Sequence, residues 1–235
     1  GHAGDTCSLG YCYEAGQGVP EDKAKAVELY RQAAQRGLSR AQCNLGYCYY
    51  TGIGVEVDDS QAFHWFSEAA QDGNSRGLCM LGLCYEMGRG VAEDKLKATE
   101  YYRQAADSGN VTAMCNLGYC YYTGIGVAED EAEAVKWFRM AADRGQPRAL
   151  FLLGECYEEG NGIQADLNRA KELYQQAAGK GYQSAREALQ RLNGQPGQPS
   201  GAYTYQAPAS PQPAPAPVPA PPKAPDKKKK GGLFG

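Results

Sequence analysis

Apolar and small side chains recur at Ala41, Leu45, Cys48, Tyr49 and Gly52, in steps of i, i+4, i+7, i+8 and i+11. That spacing is the stripe of an amphipathic helix, which we call helix A. Asp58 to Gly73 repeats the behaviour with Ala62, Trp65, Phe66, Ala69 and Ala70, and Asp58 is placed to cap this second helix, helix B. Small residues at Gly46, Ala69 and Ala70 predict a close approach of the two helices, and Gly52 and Gly54 predict the turn that joins them. No strand-like alternation of useful length interrupts the pattern.

The same pattern returns every 36 residues. Leu9-Gly10 recurs as Leu45-Gly46, Leu81-Gly82, Leu117-Gly118 and Leu153-Gly154, and Tyr13, Tyr49, Tyr85, Tyr121 and Tyr157 keep the same step. A Gly-x-Gly turn and then Asp22, Asp58, Asp94, Asp130 or Asp166 follow in each unit. Five units result, 5–40, 41–76, 77–112, 113–148 and 149–184, and an apolar segment around Ala185, Leu189 and Leu192 is expected to cap them. A 72-residue period lies on top, because units two and four share Cys43 to Val55 and Cys115 to Val127 residue for residue, as duplication of a two-unit block would produce. One helical pair cannot bury its own apolar face, so the pairs must stack into a continuous core.

The string Ala-x3-Leu-Gly-x2-Tyr-x2-Gly-x-Gly-Val-x2-Asp-x3-Ala-x6-Ala-Ala-x2-Gly is similar to the Sel-1-like repeat, a relative of the tetratricopeptide repeat with a longer turn. The resemblance covers about residues 1–193. It implies an all-α chain folded as a right-handed α/α superhelix, five helix-turn-helix units plus a capping helix, acting as a scaffold or adaptor for a protein or peptide. It carries no catalytic residue across. A cysteine-rich secreted branch of the family is linked to β-lactam binding and hydrolysis, which makes such an activity the alternative.

Charge narrows the partner. Residues 1–193 carry 19 Lys and Arg against 26 Asp and Glu, a balance of −7, and an acidic body argues against nucleic acid. No apolar run approaches the roughly 18 residues of a membrane span. Nothing resembling a signal peptide opens the chain, but it starts without Met, and Gly1 aligns with Gly37 at the close of a helix B. The expectation is that further repeats precede it, leaving an apolar face on the first helix.

Nine cysteines form two ladders, Cys7, Cys43, Cys79 and Cys115, and Cys12, Cys48, Cys84, Cys120 and Cys156. Five residues apart on one helix, their Cα atoms stand ~8.6 Å from each other, too far for a bridge. The resemblance implies that the secreted branch bridges helix B to the next helix A, but Ala34, Ala70, Ala106 and Ala142 occupy the helix B positions here. Reduced, packed thiols and a cytoplasmic location are expected, with disulfides, or a thiol-redox or metal role, as the lesser alternatives.

No catalytic constellation emerges, and neither a cofactor nor a metal site is expected. No Ser has Lys three residues later, and His64 takes a position held elsewhere by Glu28, Glu100, Lys136 and Glu172, which reads as a solvated face. The Gly-x-Gly turns lack the surroundings of a phosphate loop. Residues 194–235, with 11 Pro between 196 and 225 and then Lys227 to Lys230, are expected to form a disordered spacer with a basic end too weak for stable membrane anchoring.

The partner site is expected on the inner face of the helix A row. Arg40, Cys43, Tyr47, Tyr50 and Thr51 form a stripe separate from the core one, and across units it offers Arg40, Tyr47, Tyr50, Arg76, Tyr119, Tyr122 and Arg148. Tyr joins apolar area to a polar tip, and Arg can fork onto carboxylates. The competing reading is that these side chains pack between adjacent helices.

Overall fold

The computed structural model describes residues 2–194, and among them eleven helices occur and no strand. Helices A are α1 (Ala3–Ala15), α3 (Ser39–Thr51), α5 (Ser75–Met87), α7 (Val111–Thr123) and α9 (Pro147–Glu159). Helices B are α2 (Lys23–Ala34), α4 (Asp59–Gln71), α6 (Lys95–Asp107), α8 (Glu131–Ala142) and α10 (Leu167–Gly179), and α11 (Gln183–Leu192) closes the stack. Each helix packs on the one before and the one after it, giving an α/α solenoid of five pairs plus a cap. The tail expected over 194–235 lies, apart from Gly194, outside the described residues.

Each boundary has a residue that makes it. Asp22, Asp58, Asp94, Asp130 and Asp166 all cap helix B, as in the Gln61 N–H donating to Asp58 Oδ1 at 2.9 Å. Such a cap is worth about 1 kcal/mol. Their own backbone N–H groups donate to the carbonyls of Tyr13, Tyr49, Tyr85, Tyr121 and Tyr157 at 2.8 to 3.1 Å, which closes the turn. Helix A ends on a left-handed glycine in every unit, such as Gly52 at φ 78°, whose N–H donates to the Cys48 carbonyl at 2.8 Å.

Packing demands one glycine in unit one and two in each of units two to five. A Cβ on Gly10, Gly46, Gly82, Gly118 or Gly154 would lie 2.6 to 2.9 Å from the ring of Tyr30, Phe66, Tyr102, Phe138 or Tyr174 in the same unit's helix B. The absent side chain is what lets a fully buried aromatic ring sit on the helix A backbone. The second glycine of the turn lies against the preceding unit: a Cβ on Gly54, φ 69°, would be 2.2 Å from the Lys23 carbonyl oxygen, and Gly90 stands the same way to Asp59 at 2.1 Å.

The ends differ from the middle. Leu9 is 44% exposed while Leu45, in register, is 0% exposed, because no earlier helix B covers α1 among the described residues. The exposed face is mixed: beside Leu9, Asp5 stands exposed in the column of the fully buried Ala41, Ala113 and Ala149. At the other end Gln190 takes the column of Gly46, so α11 covers α10 without the close aromatic contact of a complete pair.

Candidate functional site

Among the described residues the A row holds a direct contact between helices of successive units. α3 touches α5 directly, while no two helices B make a comparable contact. Side chains also link successive A helices: Arg40 Nη2 reaches Ser8 Oγ at 3.4 Å, Arg76 Nη1 donates to Asn44 Oδ1 at 3.0 Å, and Arg148 Nη1 donates to Asn116 Oδ1 at 3.1 Å. Arg76 lies over the Tyr47 ring, 5.2 Å from its centroid, and Arg148 over Tyr119 at 5.0 Å.

The seven nominated residues therefore share one row, and each is engaged with a neighbouring helix. Arg40, Arg76, Arg148, Tyr50, Tyr119 and Tyr122 are partly exposed, but Tyr47 is only 7% exposed. The stripe is not separate from the core as expected, since Cys43, on the same stripe, is 1% exposed. Helix A has neighbours on three sides, the two flanking helices B and the next helix A, and so one amphipathic face cannot describe it.

Tyr50 and Tyr122 sit at the turn edge of the row. The guanidinium of Arg89 lies 3.7 Å from the Tyr50 ring centroid and donates to the Tyr50 carbonyl at 3.0 Å and to Asp59 at 2.8 Å. The Tyr50 hydroxyl donates to Met87 Sδ at 3.6 Å. In unit five, Asn161 Nδ2 donates to Tyr122 Oη at 2.8 Å. Burial raises the phenol pKa of Tyr50, Tyr119 and Tyr122, so all three stay neutral. Arg89, Asn44, Asn116 and Asn161 were not singled out from sequence; their signal was polar residues in columns that other units fill with Met80, Leu152, Ile53 and Ile125.

The alternation of Glu and Tyr along the row has a local cause. Tyr30, Tyr102 and Tyr174 donate from helix B to Glu14, Glu86 and Glu158 at 2.5, 2.5 and 2.7 Å. Where helix B carries Phe66 or Phe138 instead, helix A carries Tyr50 or Tyr122, with ring centroids 6.2 and 6.3 Å apart. In unit five Arg191 from α11 also forks onto Glu158 at 2.6 and 2.9 Å. Beside it Glu155 takes the column of Tyr47 and Tyr119; burial first, then Glu159 and Glu158, push its carboxyl up to about 8.

Little in the row can do covalent chemistry. The nine cysteines are free thiols and all but Cys12 are buried. Burial pushes Cys43 and Cys115 up to about 11 and Cys48, Cys79 and Cys156 up to about 12, which keeps the nucleophilic thiolate scarce at neutral pH. Among the described residues no group of three or more His, Cys, Asp or Glu is arranged to hold a metal ion, and no helix is long and apolar enough to cross a membrane.

Solved structures place this geometry among known proteins. A Sel1 repeat protein from Oxalobacter formigenes is 30% identical, with a TM-score of 0.76, over 81% of this chain and 76% of its own. The protective antigen c5321 of uropathogenic Escherichia coli, which displays an SLR fold, is 35% identical with a TM-score of 0.70, over 84% of this chain and 43% of its own. The immunity protein Pa5087 of Pseudomonas aeruginosa is 26% identical with a TM-score of 0.59, over 83% of this chain and 73% of its own. Comparison with curated proteins gives no match. The Sel1 repeat model matches at residues 7–38, 39–74, 75–110, 111–146 and 147–182, unit for unit with the helix pairs, and the chain belongs to the Sel1 repeat family.

Proposed function

We propose that this chain is a noncatalytic scaffold that receives an extended peptide or domain edge of a protein partner along the inner row of its A helices. Sel1 repeat folds mediate protein–protein contacts. The observation that carries the reading is the row itself: partly exposed guanidinium and phenol groups, each held in place by a neighbouring helix, recur along one continuous face. Side chains already immobilised lose little entropy on binding, which favours recognition.

No observation favours the β-lactam alternative, since no Ser-x-x-Lys element is present. The raised thiol pKa values speak against thiol-redox chemistry. Packed free thiols are in keeping with a reducing compartment, and a titration in denaturant without reductant should count nine reactive groups.

A photo-crosslinking residue placed at Tyr50 or Tyr122 tests the row. It should capture a partner from native lysate that the same residue at Gln32, on the exposed face of α2, does not. Equal capture from both positions removes the inner row from the reading.

A further inference from the structure

Units two and four carry the same surface twice. Cys43 to Val55 and Cys115 to Val127 agree at all 13 positions, whereas the helices B of those two units, 59–71 and 131–143, differ at eight of 13 and the matching stretches of units one and three, 7–19 and 79–91, differ at four. A single block duplication makes all these copies equally old, so age alone does not account for the identity. Packing does not demand it either, since the odd units place Ser8, Met80 or Leu152 in the Asn44 column and Ala15, Met87 or Glu159 in the Thr51 column. The geometry repeats as closely as the sequence: Arg76 bonds Asn44 at 3.0 Å and Arg148 bonds Asn116 at 3.1 Å, and the Tyr50 ring stands 6.2 Å from Phe66 while Tyr122 stands 6.3 Å from Phe138. Two equal stations suit a ligand that presents one feature twice.

The stations also limit what that feature is. The row sets Glu14, Glu86 and Glu158 among Arg40, Arg76 and Arg148, so it has no single sign and fits an uncharged occupant. Each station joins a hydrogen-bond donor to a partly exposed phenol ring. Tyr122 Oη accepts from Asn161 Nδ2 at 2.8 Å and keeps its O–H to donate; Arg89 takes one face of the Tyr50 ring, and the Tyr50 O–H meets Met87 Sδ, a weak acceptor, at 3.6 Å. Donors beside aromatic rings take a polyproline II segment, whose prolines lack N–H groups, leave carbonyls to accept and lay their rings on phenols.

This chain carries such a segment beyond the described residues. Pro211 to Pro222 holds seven Pro in 12 residues, and no charged side chain lies between Arg191 and Lys223. Pro213-Ala214-Pro215 returns as Pro219-Ala220-Pro221, six residues on. With three residues per turn, the two motifs face the same side ~19 Å apart, whereas the copy at 215–217 faces elsewhere. Two steps along a row of helices packed ~10 Å apart cover ~20 Å. The 18 residues from 195 to 212 span up to ~60 Å, against ~20 Å from α11 to unit four and ~40 Å to unit two.

We propose, on the basis of the inner-row reading above, that the Pro-rich tail of this chain folds back along its own A row, with Pro213 to Pro215 at Tyr122 and Pro219 to Pro221 at Tyr50. A tether in the same molecule keeps the tail at high effective concentration, so modest contacts suffice, and a partner reaches the row by displacing it.

A photo-crosslinking residue at Thr51 or Thr123 of the full, purified chain, read by peptide mass spectrometry, tests it. Both positions should capture residues 208–222 of the same molecule at a yield independent of protein concentration, and Gln32, on the exposed face of α2, should not. A labelled peptide of residues 208–222 should bind a full chain with Pro213, Pro215, Pro217, Pro219 and Pro221 changed to Ser at least ~10-fold tighter than the parent, because the tail of the parent competes. These substitutions lie outside the helical array. One Ala inserted after Pro217 of the peptide turns the second motif by a third of a turn and should weaken binding several-fold. Equal affinity of parent and variant, or of the peptide with and without the insertion, overturns the proposal, and so do crosslinks that join two molecules. If the tail is not captured while Tyr50 still captures a partner from lysate, the tail docking falls and the inner-row reading stands; if neither is captured, both fall.

Discussion

The joints between units are of two kinds. Where unit one meets unit two, the turn of the later unit brings Ile53 against the earlier helix B, and between units three and four Ile125 holds the same turn position, its carbonyl accepting from the Thr99 hydroxyl at 3.0 Å. Where unit two meets unit three, the same turn position holds Arg89, which pairs with Asp59 and covers Tyr50; between units four and five it holds Asn161, bonded to Tyr122, while the Gly162 N–H donates to Glu131 at 2.9 Å. Apolar and polar joints alternate with the 72-residue period. The duplicated block is therefore a matched pair of seam chemistries laid over one backbone geometry, and each substitution in it answers another across the seam.

The common backbone should dominate. Gly54→Ala at an apolar joint and Gly90→Ala at a polar one should each cost about 3 kcal/mol or more, because the added Cβ would overlap a carbonyl of the preceding unit. Gly18→Ala, with a similar φ of 73° but nothing within 4 Å, should cost only about 1 kcal/mol. Urea unfolding of the three variants compares them; equal losses at Gly18 and Gly54 would mean that backbone strain, not the seam, sets the cost.

Within the units, the Tyr30–Glu14 pair should be exchangeable for the Phe66–Tyr50 combination. Tyr30→Phe alone removes a charge-assisted hydrogen bond and should cost about 1–2 kcal/mol. Adding Glu14→Tyr should recover part of that loss. A double variant less stable than the sum of both singles would show that the alternation is not a local pairing rule.

The polar joint should be worth less than its contacts suggest. Arg89 and Asp59 are 24% and 39% exposed in their side chains, so a double-mutant cycle with Arg89→Met and Asp59→Asn should give a coupling of about 1 kcal/mol, falling with salt. Ile53→Ala should show no such salt dependence. A coupling that survives molar salt would make this seam a buried ion pair in effect.

The smallest effect belongs to the last joint, between unit five and α11. Glu155 has a folded pKa of about 8, above its unfolded value, so the native state holds a proton that the unfolded chain has released. Stability should fall as pH rises from roughly 4.5 to 8, and Glu155→Gln should flatten that slope. Glu155 is partly exposed, so solvent screening should hold the gain at pH 8 to roughly 1 kcal/mol. A variant whose pH profile matches that of the parent would place the slope elsewhere.

The repeat length, both helices of each unit, the five Asp caps and the glycine turns could all be read from the chain. Each depends on contacts within about 16 residues, and local geometry repeats wherever the local sequence does. The row that holds Arg40, Tyr47, Tyr50, Arg76, Tyr119, Tyr122 and Arg148 could be read as well, because helical spacing alone puts those positions in register. How far each is buried could not. Tyr47 and Cys43 fall on a helical stripe that looks free on one helix, and become enclosed only when the next helix A, 36 residues on, lies against it. The hydrogen bonds of Arg76 to Asn44 and Arg148 to Asn116, and the choice between Arg89 and Ile53 at a joint, likewise depend on which units meet. Sequence determined the unit, since a helix pair is fixed by periodicity and caps; the seams were decided by the packing of one unit on the next.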